Sequence, residues 1–128
     1  MRVLLDTNVF LFFAVGSRRL SPRVRSLIEE QEDELIVSAI TPWELAIKAA
    51  AGRIELPGSA ESVYELARAE IRATELPIRA VHALRVGALP RLHGDPFDRM
   101  LVAQAAVEGL AIATNDLVMR DYGVDVIW

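Results

Sequence analysis

Three short apolar runs constrain the fold of this chain most: Val3-Leu4-Leu5, Leu35-Ile36-Val37-Ser38 and Ala111-Ile112-Ala113-Thr114. Short unbroken apolar runs, without polar alternation, mark strands buried on both faces. Long stretches with helix signals separate them. Ser21-Pro22 supplies an N-cap followed by proline at the first helical position, opening a helix expected to reach about Glu30. Thr41-Pro42-Trp43-Glu44 opens another, which Gly52 can end. Ser59 caps a third, carrying Val63, Leu66, Ala67 and Ile71 along one face. Asp95-Pro96-Phe97-Asp98 opens a fourth that closes at Gly109. Val9 to Val15 and Ala80 to Ala88 also read as helices, Leu76-Pro77-Ile78 as a short extended piece and Val124 to Trp128 as a last strand. Strands alternating with helices, joined by right-handed crossovers, predict a parallel sheet covered on both faces. No repeat, linker or low-complexity tract divides the chain, so residues 1–128 are expected to form one domain.

Four acids sit where this pattern ends a strand or begins a helix: Asp6, Glu44, Asp98 and Asp116. In an open parallel sheet, strand C-termini and the following helix N-termini share one edge, and ligands bind there. Each acid alone has an ordinary explanation. Asp6 can cap the next helix, Glu44 completes a Thr41-x-x-Glu44 capping box, Asp98 suits a first helical turn, and Asp116 can cap a short helix from Leu117 to Asp121. Together they are hard to explain as caps. Two like charges ~5 Å apart repel by roughly 3 kcal/mol at an effective dielectric of about 20. A divalent cation with oxygen ligands relieves that repulsion, and Mg²⁺ or Mn²⁺ suits carboxylate-plus-water coordination. Thr7, Asn8, Thr114 and Asn115 lie beside the acids as short polar groups able to orient ligands or waters.

Other chemistries fit less well. The chain has no cysteine, which excludes disulfides and thiolate metal sites. His82 and His93 lack the i,i+4 spacing of a zinc protease, and both are expected to be structural, His93 in a surface loop. A phosphatase or phosphotransfer domain also carries acids at strand ends. One such pattern needs a second acid where Asn8 stands, and another needs a late lysine, whereas the only lysine is Lys48. The net charge is −4, and setting the four acids aside leaves the rest in balance. The chain is 52% hydrophobic, high for 128 residues, so some apolar surface is expected to face a partner. Its longest apolar run is too short to span a bilayer and no export signal precedes the first strand, giving the expectation of a cytoplasmic protein.

Leu5-Asp6-Thr7-Asn8, Trp43-Glu44-Leu45-Ala46-Ile47-Lys48, the stretch from His93-Gly94-Asp95-Pro96-Phe97-Asp98-Arg99 through Ala105, and Thr114-Asn115-Asp116 together resemble a PIN-domain ribonuclease of the VapC-like toxin branch. The similarity runs from end to end, through Tyr122-Gly123-Val124 and Val126-Ile127-Trp128. It implies a three-layer α/β/α sandwich with a central, mainly parallel sheet, a Mg²⁺- or Mn²⁺-dependent endoribonuclease acting on RNA, a homodimer, and inhibition by a cognate antitoxin. Asp6, Glu44, Asp98 and Asp116 become the metal-binding and catalytic acids, Asp95 an auxiliary acid or helix cap, and Arg99 a structural or phosphate-facing residue. Asn8 departs from the histidine frequent in that branch, which makes substrate preference harder to borrow.

On this reading Asp6 and Asp116 anchor the metal, Asp98 and Glu44 complete the cluster or hold its waters, and Arg99 leads the arginines facing phosphate. A non-catalytic PIN module and the same chemistry on DNA stay open as alternatives. The Val9–Val15 helix and the helix after Ser59 are candidates for the dimer and antitoxin surfaces, with simple core as the alternative. No stretch carries the aromatic platforms of a single-strand binder, so specificity is expected to rest on shape and groove charge.

Overall fold

A computed structural model describes residues 1–128. Five strands, β1 (Arg2–Leu5), β2 (Glu34–Ser38), β3 (Thr74–Leu76), β4 (Ala111–Ala113) and β5 (Val126–Ile127), form one sheet in the order β3-β2-β1-β4-β5. Every neighbouring pair is parallel. The register sets Leu5 beside Val37 on one side and Ala113 on the other, so the three central strands end level. Six α-helices complete the fold: α1 (Thr7–Ala14), α2 (Pro22–Glu30), α3 (Ile40–Ala50), α4 (Ala60–Ile71), α5 (Ala80–Val86) and α6 (Pro96–Glu108). A 3-10 helix, Leu117–Tyr122, bridges β4 and β5.

The strand residues explain the three layers. Successive side chains of a strand point to opposite faces. Val3, Leu5, Leu35 and Val37 therefore enter the larger core, against α1, α2 and α4. Leu4, Ile36 and Ile112 enter the smaller one, with Leu101, Val102 and Ala105 of α6. Helix α3 serves both, sending Leu45 to the first and Ile40 to the second. This is the expected three-layer sandwich with a parallel sheet.

Two expectations shift. The extended piece predicted at Leu76–Ile78 is a strand two residues earlier, because Pro77 has no N–H to continue the ladder. Along α4, Val63, Tyr64, Ala67 and Ile71 are buried, but Leu66 points to solvent. Of the two readings left open for the Val9–Val15 helix, core holds for much of its surface: Val9, Phe10 and Phe12 of α1 all lie in the larger cluster. No helix is long and apolar enough to cross a membrane.

Candidate metal centre

The strand order reverses direction at β1, with β2 and β3 on one side and β4 and β5 on the other. Crossovers leave in opposite directions from such a point and open a crevice beyond the strand ends, where open α/β sheets bind ligands. Asp6 follows β1 directly and Thr114 follows β4, and register brings them together. The Asp6 amide donates to the Ala113 carbonyl at 3.0 Å. The Thr114 hydroxyl donates to Asp6 Oδ2 at 2.6 Å. Asp6 is buried and its side chain does not cap α1. Burial pushes its carboxyl above the usual range and Glu44 adds to the rise, while the Thr114 hydroxyl and the amides of Thr7 and Asn8 oppose it. Of Asn8, only that backbone amide bears on Asp6; its side chain lies exposed.

Glu44 reaches the cluster from α3 by a different local arrangement from the expected capping box. Helix α3 begins at Ile40, whose amide donates to Ser38 Oγ at 3.0 Å, so Thr41 lies inside the helix. Its hydroxyl meets that of Thr7 at 3.1 Å in a buried contact tying α3 to α1. Glu44 is buried, with Lys48 one turn along the helix as its ion-pair partner.

The α6 N-terminus supplies the third acid. Asp95 caps it, accepting from the Phe97 amide at 2.8 Å, and Pro96 takes the first turn, where a missing N–H costs nothing. Asp98 therefore stands in that first turn, facing the other acids. Its carboxyl is pushed up to about 7, mainly by burial, then by the charges of Asp95 and Asp6 and, more weakly, Glu44; His93 opposes the rise. A carboxyl raised this far by burial and neighbouring like charges is an electrostatic mark of a candidate cation-binding or catalytic position.

Asp116 does two jobs. Its Oδ1 caps the 3-10 helix through the Val118 amide at 3.2 Å, as its sequence position suggested. Its Oδ2 meets Nε2 of His93 at 2.5 Å. A carboxylate accepts only, so that ring nitrogen carries a proton, and Nδ1 meets the Tyr122 hydroxyl at 2.7 Å. The rings of His93 and Tyr122 are stacked, with centroids 5.4 Å apart. His93 is thus no mere loop residue, which corrects the sequence reading: ligand atoms of His93, Asp98 and Asp116 all lie within 4.8 Å of one another. The only sequence signal was its adjacency to Gly94-Asp95, which says nothing of Tyr122 or Asp116. His82 is structural, buried with Nδ1 accepting from the Arg79 amide at 3.0 Å and Nε2 donating to Glu108 at 2.8 Å.

Arg99 takes the first of its two expected roles. Its guanidinium donates to the carbonyls of Pro90 at 2.9 Å and Val86 at 3.0 Å, fastening the α5–α6 loop. Those bonds leave it the structural of its two expected roles rather than the phosphate-facing one. Trp43 and Phe97, 54 positions apart in sequence and each next to a site acid, meet edge to face.

Residues 3–124 match the sequence model of the PIN domain. Ribonuclease VapC22 of Mycobacterium tuberculosis is 32% identical over 120 residues, which cover 94% of this chain and 91% of that protein. Among solved structures, VapBC2 from Rickettsia felis, bound to a DNA fragment from its promoter, aligns with a TM-score of 0.76 at 15% identity, covering 99% and 98% of the two chains. A toxin–antitoxin complex from Klebsiella pneumoniae aligns at 0.68 with 20% identity, covering 98% and 96%.

Proposed function

This chain belongs to the PIN-domain family, and from that premise we propose that it is a Mg²⁺- or Mn²⁺-dependent endoribonuclease, a cytoplasmic homodimer that acts as the toxin of a toxin–antitoxin pair. The similarity to a protein named a ribonuclease supports the activity, and the likeness to a toxin–antitoxin complex supports a cognate antitoxin as partner. One observation carries the reading: Asp98, at the switch point of a parallel sheet, feels the charges of Asp6 and Glu44 and has ligand atoms within 4.8 Å of those of Asp116 and His93, while Lys48 pairs with Glu44.

The donor set fits a hard divalent cation. Carboxylate oxygens without any thiolate suit Mg²⁺ or Mn²⁺, and Asp6 and Asp98 are held above their usual range by burial and by the neighbouring carboxylates. Asp6, Asp98 and Asp116 would hold the ion, with Glu44 beside them. When bound, the cation lowers the pKa of an attacking water and neutralises charge building on the leaving oxygen. The chain's own residues set the geometry. Thr114 fixes the carboxylate of Asp6, Lys48 orients Glu44, and His93 with Tyr122 holds Asp116 in one rotamer. Such supporting contacts decide how well ligands are pre-set.

Incubating purified protein with a mixed pool of structured and single-stranded RNA tests this directly, using Mn²⁺ or Mg²⁺, EDTA and an Asp6→Asn variant as controls and matched DNA alongside. Metal-dependent RNA cleavage lost in the variant is expected. Cleavage of DNA alone would reassign the substrate, and failure to bind Mn²⁺ would overturn the site.

A further inference from the structure

Two aromatic side chains meet at the rim of the acidic cluster. Trp43 on α3 and Phe97 on α6 stand edge to face, ring centroids 5.0 Å apart and planes at 85°. Each immediately precedes a site acid, Trp43 before Glu44 and Phe97 before Asp98. Consecutive helical side chains diverge by about 100° around the axis. Acids that turn into the cluster therefore leave the residues before them flanking it, and here the two flanking residues come from different helices and touch. Phe97 is rooted in the smaller core cluster, so it steadies the indole from one side. Trp43 itself is 53% exposed, unusual for a tryptophan whose helix packs into both cores.

We propose that Trp43, buttressed by Phe97, is the stacking platform for an unpaired nucleobase next to the phosphate being cut. This rests on the RNA-cleaving reading above and adds the residue that holds the base beside the cut phosphate. An indole face held beside a phosphate-cleaving centre offers a base the π-surface it loses on leaving a helix, and such stacking tolerates any base. In an A-form duplex the bases are already stacked on one another, so the platform has nothing to hold. The metal centre positions the phosphate, and Trp43 fixes which strand geometry can reach it.

The test uses a short, labelled, single-stranded oligoribonucleotide of mixed sequence, a duplex of the same sequence, and a backbone-matched oligonucleotide with abasic positions. Cleavage is measured with Mn²⁺, and binding is measured by anisotropy in an Asp6→Asn background. Trp43→Ala is expected to weaken binding of the single strand about tenfold and raise KM by a similar factor with kcat little changed. Trp43→Phe should restore most of the loss, and the abasic strand should bind equally with or without the indole. In a Trp128→Phe background, RNA should quench the Trp43 fluorescence. Equal weakening on base-bearing and abasic strands, or no weakening on either, overturns the platform while wild-type cleavage leaves the nuclease reading standing. A Trp43 fluorescence change that follows protein concentration and ignores RNA also overturns it, giving the face to a second copy of the chain. If wild-type protein cuts and binds none of the RNAs, the nuclease reading and the platform fall together.

Discussion

The two edges of the sheet handle charge in opposite ways. At the N-terminal edge, the charges at the starts of β1 and β2 are paired with opposite ones. The Met1 ammonium meets Asp33 at 2.8 Å, and Arg2 meets Glu34 at 3.2 Å while a second guanidinium nitrogen donates to the Glu108 carbonyl at 3.3 Å. At the C-terminal edge, four carboxylates crowd together with one lysine and one histidine beside them, and two of the four are pushed out of the normal carboxyl range. The first arrangement gains a little stability. The second costs stability in the metal-free protein and fits the cation proposed above. On the proposed function, one parallel sheet separates the work of holding the fold from the work of acting on a ligand.

That contrast breaks most sharply at Asp98. Replacing it with asparagine is expected to reduce metal-dependent RNA cleavage by at least about a hundredfold, while the metal-free protein melts at the same temperature or higher at pH 8. Initial cleavage rates and melts in EDTA measure both. A marked loss of metal-free stability would mean that Asp98 serves the helix terminus rather than the ligand. Next comes His93→Gln, which removes the ring clamping Asp116 and is expected to weaken Mn²⁺ binding by about 10- to 100-fold, read by calorimetric titration. Unchanged affinity would leave His93 a loop residue after all.

The pH dependence of the metal-free protein sharpens the comparison further. Asp98 is protonated up to about pH 7 in the folded state, whereas in the unfolded chain it ionises near 3.8. Between those values the folded state binds more protons, so stability falls as pH rises through the window. Melting in EDTA should therefore drop from pH 5 to pH 8, and Mn²⁺ at pH 8 should recover the loss. A melting temperature flat across that range would refute the electrostatic crowding. The smallest effect belongs to the other edge: Glu34→Gln removes a half-exposed ion pair and is expected to cost under about 1 kcal/mol with cleavage unchanged.

Much of this was legible in the residues themselves. The strands at Leu4, Ile36 and Ile112 announce themselves because a strand buried on both faces has no room for polar alternation. The α6 start is equally plain, since Asp95-Pro96 is a cap followed by the residue that fits the first turn best. Other features were hidden for identifiable reasons. The Thr41–Glu44 spacing imitates a capping box, but Ser38 Oγ receives the Ile40 amide first and moves the helix start upstream. Arg99 looks like a phosphate ligand by its position beside Asp98, yet its reach to the Val86 and Pro90 carbonyls depends on how α5 packs on α6.

The sequence by itself determined that this chain forms a parallel α/β sheet and that its acids stand at the ends of elements, because caps, proline positions and unbroken apolar runs act over a few residues. Only the tertiary structure decided that β1 and β4 are neighbours, and with the tertiary packing came the Thr114–Asp6 bond, the Asp116–His93–Tyr122 chain and the meeting of Trp43 with Phe97. These contacts join residues 23 to 108 positions apart. No local spacing encodes them: they follow from strand order and from which face each helix turns toward the sheet.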